Sequence, residues 1–310
     1  MIETYALSDV DRAAVRALLL EIARDVRNLE EQAFLEQAVL FAQELPLGIR
    51  RAFHRFKLYE AVPCLLITNN PVEHTDVGPT PCSHASPGTR RPLTPPQLLH
   101  GLYASLLGEP FGFETQQFGR VFNDLISIEG QPPNSSSGCG KIGLHTEDCT
   151  KAFMPDYLGL FCLRNATGAR SLLSSIYQCE LPAAIRDLLM TPVFPELGGG
   201  NTMRALLFGS PSHPYLRYGS IDGPRCDSEA RRALRYLTET LEGAQQEVTL
   251  MQGDGLYIDN FHAVHGRAAF APLYGPQARW FSRLVMTRDL RRTRAMRAAP
   301  ESRIIRDRSG

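Results

Sequence analysis

The sequence lacks three features that would place it in a specialised class of protein. It has no apolar run of about 18 residues, so no membrane span and no membrane partner are predicted. It has no excess of either charge, because Lys+Arg and Asp+Glu both number 33, whereas nonspecific nucleic-acid binding requires a basic excess. Its seven cysteines are odd in number and lack a repeated spacing, which argues against a disulfide scaffold.

These absences leave an ordinary globular chain. Residues 1–15 lack the basic and then apolar pattern of a secretory signal, so we expect a cytoplasmic protein with reduced cysteines. Apolar residues make up 43% of the chain, which is ample for a hydrophobic core. Composition predicts no particular oligomeric state.

The pattern along the chain predicts helices first and strands afterwards. Residues 1–60 are expected to be helical, since apolar residues recur at helical spacing over 9–27 and a second helix fits 31–44. Seven prolines make 69–96 a long loop, either a lid or a disordered excursion, and Thr94 then caps a helix to Leu107. Residues 111–287 are mostly strands, including 113–128, and the arginine-rich tail 288–310 is predicted to be an exposed helix with a frayed end. We expect a single domain over 1–310, mainly β with flanking helices.

The first chemical signal is the segment Gly-Leu-His-Thr-Glu-Asp at 143–148. His145 and Glu147 are two residues apart, so an extended backbone directs both side chains to one face. An imidazole and a carboxylate on one face are two ligands for a divalent transition metal, and a distant histidine would complete the face that suits non-haem Fe(II).

The second signal is the segment 253–267, which carries His262 and His265, followed by Arg279 and Arg283. On a strand, Arg279 and Arg283 share one face. Two guanidinium groups that face one interior without an evident acidic partner are costly unless they bind ligand carboxylates. The alternative is that one arginine lies on the surface and the other pairs with Asp124 or Asp259.

Together these segments resemble the clavaminate synthase-like Fe(II)/2-oxoglutarate oxygenases, in particular the hydroxylases of free arginine, asparagine or lysine. The residues that carry the resemblance lie between 113 and 286: His-Thr-Glu-Asp at 145–148, Pro155, Tyr157, Cys-Leu-Arg-Asn at 162–165, the segment 253–267 and Arg279. The resemblance implies a double-stranded β-helix, or jelly-roll, core over 111–287.

The resemblance also implies a role for each residue of the site. His145, Glu147 and His265 would bind iron, and Arg279 would bind the distal carboxylate of 2-oxoglutarate. Ser171 stands where relatives have a threonine that binds the same cosubstrate, and His262 stands where they often have an arginine. The substrate-binding residues would be Arg283 for the α-carboxylate, Glu147 for the α-ammonium, Gln117 in preference to Gln116, and Asp222 for the side chain.

The expected reaction is therefore hydroxylation of the β or γ carbon of a free L-amino acid, in natural-product biosynthesis, with Fe(II), 2-oxoglutarate and O2. A carboxylate at position 147 disfavours halogenation, because halogenating relatives have a small residue there. Asp222 precedes a glycine and also fits an ordinary turn.

Four alternatives stay open at the level of sequence. The amino acid could be tethered to a carrier protein, or the reaction could be a desaturation. A zinc-dependent hydrolase would use the same His/Glu/His face without Arg279, and a noncatalytic jelly-roll binding protein would need no metal.

Overall fold

Strands form the centre of the structure and helices cover two outer sides of it. The computed structural model describes residues 1–26, 28–60, 62–84, 94–195, 202–219 and 227–306. Within these ranges the helices are α1 (Asp9–Asp25), α2 (Gln32–Phe41), α3 (Leu47–Tyr59), α4 (His74–Val77), α5 (Pro95–Leu107), α6 (Ala183–Leu189) and α7 (Ser228–Gly243).

The strands follow one another through the whole chain. In the N-terminal half they are β1 (Ile2–Ala6), β2 (Cys64–Thr68), β3 (Glu109–Phe113), β4 (Asn123–Ile126) and β5 (Ile142–His145). Next come β6 (Tyr157–Arg164), β7 (Arg170–Ser175), β8 (Phe194–Pro195), β9 (Met203–Arg204), β10 (Leu207–Ser210) and β11 (His213–Leu216). The last are β12 (Gln246–Thr249), β13 (Gly255–Asp259), β14 (Ala263–Arg267), β15 (Trp280–Thr287) and β16 (Ile304–Ile305).

Two sheets carry the functional residues. The larger has the strand order β1-β2-β13-β6-β15-β3-β16, with β4 also paired to β15. The smaller has the order β12-β7-β14-β5. One hydrophobic cluster contains side chains of both sheets, for example Leu160 and Phe281 from the larger and Leu173 from the smaller. The inner faces of the two sheets therefore pack against each other.

Successive side chains of a strand point to opposite faces of its sheet, and this alternation separates the layers of the fold. In β15, Trp280, Leu284 and Met286 belong to the cluster that includes helices α1, α2, α3 and α5, whereas Phe281 and Val285 belong to the cluster between the sheets. Helices α6 and α7 pack with Val264 of β14 in a third cluster. The layers are thus helices, larger sheet, smaller sheet and helices, in agreement with the predicted mainly β class with flanking helices.

Local signals at helix starts are confirmed. The Thr94 side chain accepts a hydrogen bond from the Gln97 backbone, and prolines occupy the first positions of α5. Their missing N–H groups cost nothing there, because the first turn of a helix has no internal acceptor for them. The Ser8 side chain caps α1 in the same way. No helix in the described ranges combines the length and apolarity that crossing a bilayer requires.

Two expectations about the elements are wrong, and a third is wrong in part. The first 60 residues are not all helical, since β1 pairs in parallel with β2 and joins the larger sheet. The stretch 113–128 is not one strand, because a turn with left-handed backbone at Gln117 and Phe118 separates β3 from β4. The helix predicted in the arginine-rich tail is present over Leu290–Met296, as a 3-10 helix with exposed arginines, but the described part of the tail does not fray, because β16 pairs with β3.

The arginine-rich tail is held in place by one buried apolar side chain, that of Ile305, although its basic composition suggests an exposed segment. Ile305 is fully buried in the cluster between the sheets, beside Phe111 and Phe113. We expect Ile305→Ala to lower the free energy of unfolding by about 3 kcal/mol, because a cavity replaces the side chain. Urea unfolding measures the change. Val10→Ala is the control, since Val10 is 78% exposed, and a loss no larger than the control's would contradict the tail's place in the core.

Candidate metal centre and its cavity

Pairing of β5 with β14 brings the two predicted histidine ligands together. His145 and His265 are direct partners in the antiparallel register, and their ring centroids are 4.3 Å apart. Nδ1 of His145 lies 2.9 Å from the Gly143 carbonyl oxygen. A carbonyl only accepts, so this nitrogen donates and Nε2 keeps its lone pair.

Glu147 is placed beside the histidines by a residue that the sequence reasoning missed. The Glu147 backbone N–H donates to Oδ1 of Asn260 at 2.6 Å, and Nδ2 of Asn260 donates to the carbonyl oxygens of Glu147 and Pro155. Asn260 is fully buried. A buried side-chain amide that satisfies backbone groups on both sides fixes the loop after β5.

The three side chains converge on one point. Ligand atoms of His145, Glu147 and His265 all lie within 4.8 Å of one another, and Oε2 of Glu147 is 3.3 Å from Nε2 of His265. Burial, and then the neighbouring His265, lower the pKa of His145 to about 4. Burial opposes ionisation of Glu147, but Arg283 and the histidines outweigh it and hold its pKa well below the ordinary value. The set therefore contains a neutral His145 imidazole and an ionised Glu147 carboxylate beside the imidazole of His265.

A cavity of about 420 Å³ lies against these three residues. Its lining includes most of the residues that the sequence predicted for cosubstrate and substrate. These are Ser171, Arg279, Arg283 and both glutamines of the pair, Gln116 and Gln117. Asp222, the remaining predicted substrate residue, lies outside the described residues.

Arg279 is a buried cation, and part of its guanidinium forms no hydrogen bond with the described residues. It is 7% exposed, and its Nε and Nη1 have no hydrogen-bond partner within the described part of the chain. The guanidinium carbon lies 4.7 Å from the ring centre of Phe281 and 5.8 Å from that of Phe270. Burial, and then the nearby Arg267, lower the pKa of Arg279 to about 9. A buried cation with open donors in a cavity is suited to an anionic ligand.

Ser171 lies on the smaller sheet near the same end of the cavity. Its register partner on β14 is Arg267, two residues beyond the metal-ligand candidate His265. The hydroxyl is therefore next to the row of side chains that runs from the metal centre toward Arg279.

Arg283 differs from the sequence expectation, which assumed no evident acidic partner. Its Nη2 donates to Oε1 of Glu147 at 2.8 Å and to Oδ2 of Asp148 at 3.0 Å, and its Nη1 donates to Asn123 and Gln116. Neither Asp124 nor Asp259 is its partner: Asp124 instead accepts from Trp280. The acidic partners were missed because they belong to the metal motif or directly follow it, 136 and 135 residues away in sequence.

The two glutamines of the pair, Gln116 and Gln117, form different side-chain hydrogen bonds. Gln117 uses its side-chain amide on the backbone of Asp124, as donor and as acceptor, and so holds the turn before β4. Gln116 instead accepts from Arg283 and donates to Oδ1 of Asp148 at 2.5 Å. The contact with Arg283 is therefore made by Gln116, and the preference for Gln117 finds no support in these bonds.

Asp148 completes the group around Arg283. Its backbone is left-handed, with φ at 52°, a conformation that aspartate tolerates better than most residues. Burial raises the pKa of Asp148 to about 6 even though Arg283 opposes this shift. In the sequence, the position of Asp148 directly after Glu147 in the metal motif is the feature that could have indicated its role.

His262 lies apart from this cavity. It is buried, stacks on Tyr177 with ring centroids 4.6 Å apart, and its Nδ1 is 3.0 Å from Oδ2 of Asp259. Its environment is an aromatic and acidic cluster beside the loop that leads into β14.

Known proteins with similar sequences are hydroxylases and related oxygenases. The sequence is 31% identical over 340 residues to the enduracididine beta-hydroxylase of Streptomyces hygroscopicus, covering 97% of this chain and 99% of that protein. It is 29% identical over 338 residues to the L-ornithine/L-arginine 3-hydroxylase of Catenulispora acidiphila, covering 97% and 98%. It is 27% identical over 301 residues to clavaminate synthase 2 of Streptomyces clavuligerus, covering 90% and 92%. No family model matches the sequence.

The fold matches a solved oxygenase over nearly its whole length. The crystal structure of the non-heme iron oxygenase OrfP in complex with Fe and alpha-ketoglutaric acid gives a TM-score of 0.90 at 31% identity. The match covers 98% of this chain and 100% of that one. This chain belongs to the clavaminate synthase-like Fe(II)/2-oxoglutarate oxygenases.

The residues of this oxygenase fit the iron that its family uses. Two imidazoles and one carboxylate on one face are the ligand set of non-haem Fe(II) sites with open positions. Membership of this family also excludes two of the alternatives left open above, the zinc-dependent hydrolase and the noncatalytic binding protein, because neither uses 2-oxoglutarate.

Loss of either histidine should remove the metal. We expect His145→Ala and His265→Ala to abolish Fe(II) binding, because two ligands on one face hold the ion too weakly. Equilibrium dialysis under argon measures the binding. His54→Ala is the control, since His54 is exposed on α3. Undiminished Fe(II) binding by either ligand variant would refute the metal centre.

Proposed function

We propose that this oxygenase hydroxylates the β or γ carbon of a free L-amino acid. The observation that carries the proposal is a single cavity lined by the metal-ligand triad and by two arginines, Arg279 and Arg283. Relatives support it: OrfP has been crystallised with L-Arg and with (3S)-hydroxy-L-Arg, and two relatives are named as β- or 3-hydroxylases. The names enduracididine and clavaminate also support a place in natural-product biosynthesis.

The protein's part of the mechanism is to hold two acids beside one metal. His145, Glu147 and His265 would hold Fe(II), which with 2-oxoglutarate and O2 supplies the oxidation of an unactivated C–H bond. Arg279 would bind the distal carboxylate of 2-oxoglutarate, and Ser171 would donate to it. The phenyl rings of Phe270 and Phe281 shield Arg279 from water, which strengthens this ion pair.

Arg283 would bind the amino acid by an exchange of ion pairs. In the structure its Nη atoms donate to four protein acceptors, two of which are the carboxylates of Glu147 and Asp148. A substrate α-carboxylate can take the place of Asp148 on Arg283, and the α-ammonium can then pair with the released carboxylate. The exchange keeps the buried charges balanced only when the ligand carries both groups, which favours a free amino acid over a carrier-tethered thioester.

We propose further that the two packed sheets form a double-stranded β-helix and that residues 1–310 are a single domain. The shared cluster between the sheets supports both statements, since its side chains come from strands between 64 and 305. Substrate side-chain recognition by Asp222 stays a prediction from the sequence.

A screen for succinate release tests the function directly. The proteinogenic amino acids and ornithine are incubated with enzyme, Fe(II), 2-oxoglutarate and O2. We expect one or a few to yield succinate together with a product heavier by one oxygen, measured by mass spectrometry. A product lighter by two hydrogens identifies desaturation. Turnover only of an aminoacyl thioester on a carrier protein would contradict the proposal.

Arg279 should act on the cosubstrate alone. We expect Arg279→Ala to raise the KM for 2-oxoglutarate about 100-fold, since it removes one partner of a buried ion pair worth about 3 kcal/mol. The KM for the amino acid should stay within about twofold of the wild-type value. A variant that changes the amino-acid KM instead would refute this assignment.

Asp148 should contribute to the choice of an α-amino acid. We expect Asp148→Asn to lower the preference for the amino acid over its desamino analogue by about tenfold, because it removes the negative charge that pairs with the ammonium. The ratio of the two kcat/KM values measures the preference. Asp187→Asn, at an exposed position of α6, is the matched control. An equal loss for both substrates would show that Asp148 only supports the structure.

A further inference from the structure

The loop between β2 and α5 is fixed to the rest of the protein before it reaches the cavity. Asn70 is buried and donates to the Gly253 carbonyl oxygen at 2.7 Å, while Tyr103 of α5 donates to the Asn70 side chain. The backbone N–H of Thr80 donates to the carbonyl oxygen of Pro276, and its hydroxyl donates to that of Ala278 at 2.8 Å. Thr80 is thus bound to the backbone immediately before Arg279.

Arg164 strengthens this attachment from the end of β6. Its guanidinium donates to the Gly78 carbonyl oxygen at 2.7 Å, to the Thr80 hydroxyl at 2.5 Å and to the Pro276 carbonyl oxygen at 2.9 Å. Arg164 is 6% exposed, so these bonds are protected from water. Charge-assisted bonds in a buried place are strong, and they fix the course of residues 78–80.

Four residues after Thr80, His84 reaches the cavity. Its imidazole lines the cavity together with Asn134, Ser136 and Arg279, and its Nε2 is 3.0 Å from the Ser137 hydroxyl. Nothing in the sequence around His84 resembles a motif, so only the folded chain reveals this position.

The partner of His84 is itself connected to Arg279. The carbonyl oxygen of Ser137 accepts from the Ile128 backbone, and the preceding residue Ser127 donates to the carbonyl oxygen of Arg279. The loop 133–140 is also held by Arg267, whose guanidinium donates to four backbone carbonyl groups, those of Pro133, Ser135, Ser136 and Gly140. His84 therefore rests on a fixed wall at the Arg279 end of the cavity.

Charge separates the two ends of the cavity. Around Arg283 lie the carboxylates of Glu147 and Asp148. At the other end the described lining contains Arg267, Arg279, Ser171 and His84, and none of these is an acceptor carboxylate. A doubly negative acid suits the second end, and an amino acid with an ammonium group suits the first.

We propose that His84 is a cosubstrate-binding residue, which closes the 2-oxoglutarate end of the cavity and contacts the cosubstrate there. The proposal rests on the proposed function, in which Arg279 binds the distal carboxylate. A hydrogen bond from the His84 imidazole to a carboxylate at this end of the cavity slows release of the cosubstrate.

The test measures 2-oxoglutarate binding without turnover. Fe(II)-loaded protein is titrated with 2-oxoglutarate under argon, and the visible charge-transfer absorption of the metal chelate reports the Kd. We expect His84→Ala to raise this Kd about tenfold, His84→Gln to recover most of the affinity, and Ser137→Ala to give an intermediate value. His54→Ala is the matched control. Fe(II) affinity and the KM for the amino acid should stay within about twofold of wild type.

Each outcome decides the proposal. An unchanged Kd for 2-oxoglutarate in His84→Ala, or a rise confined to the KM of the amino acid, overturns it. If His84→Ala does not fold, as judged by calorimetry, the Ser137→Ala value decides, and an unchanged Kd again overturns it. Wild-type protein that shows no charge-transfer absorption would instead refute the proposed function, so the two failures are distinguishable.

Discussion

The pairing of β5 with β14 is the constraint on which the site depends. It sets His145 opposite His265, and a shift of one residue would turn one of the two imidazoles to the other face of the sheet. Gly266 makes this close approach possible, since a Cβ there would lie 2.6 Å from the Ile142 carbonyl oxygen. The register also changes between His265 and Arg267. The two histidines can therefore bind one metal ion only in this register of β5 and β14.

The second organising feature is the placement of buried charge. The chain is neutral overall, yet Arg267, Arg279 and Arg283 are all less than a tenth exposed. The donors of each guanidinium are used differently. Arg267 binds backbone carbonyl groups and Arg283 binds two carboxylates, whereas Arg279 has donors without a partner among the described residues. A buried cation is tolerable only when its donors are used or a ligand arrives to use them. The three arginines that line one cavity therefore differ in how many of their donors the protein itself uses.

The outer layers hold this arrangement without entering it. On the helical side of the larger sheet, His100 of α5 contacts the Ser282 hydroxyl on β15, so the strand that carries Arg283 is fixed from behind. Burial lowers the pKa of His100 to about 3, which keeps this imidazole neutral. The tail strand β16 closes the edge beyond β3. Residues far from the metal motifs in sequence therefore support the sheet that carries Arg283.

The sequence by itself determined the chemistry of single short segments. The spacing in 143–148 predicted His145 and Glu147 on one face, and alternation predicted Arg279 and Arg283 on one face. The resemblance to the oxygenases selected His265 within the 253–267 segment. Capping at Thr94 was equally visible, because it depends on neighbours within a few residues. The tertiary structure alone decided that Arg283 pairs with Glu147 and Asp148, that Gln116 joins it, that Asn260 holds Glu147, and that His84 reaches the cavity. These contacts join residues separated by between 32 and 167 positions. Their geometry depends on strand register and on the course of loops, which no local pattern of residues specifies.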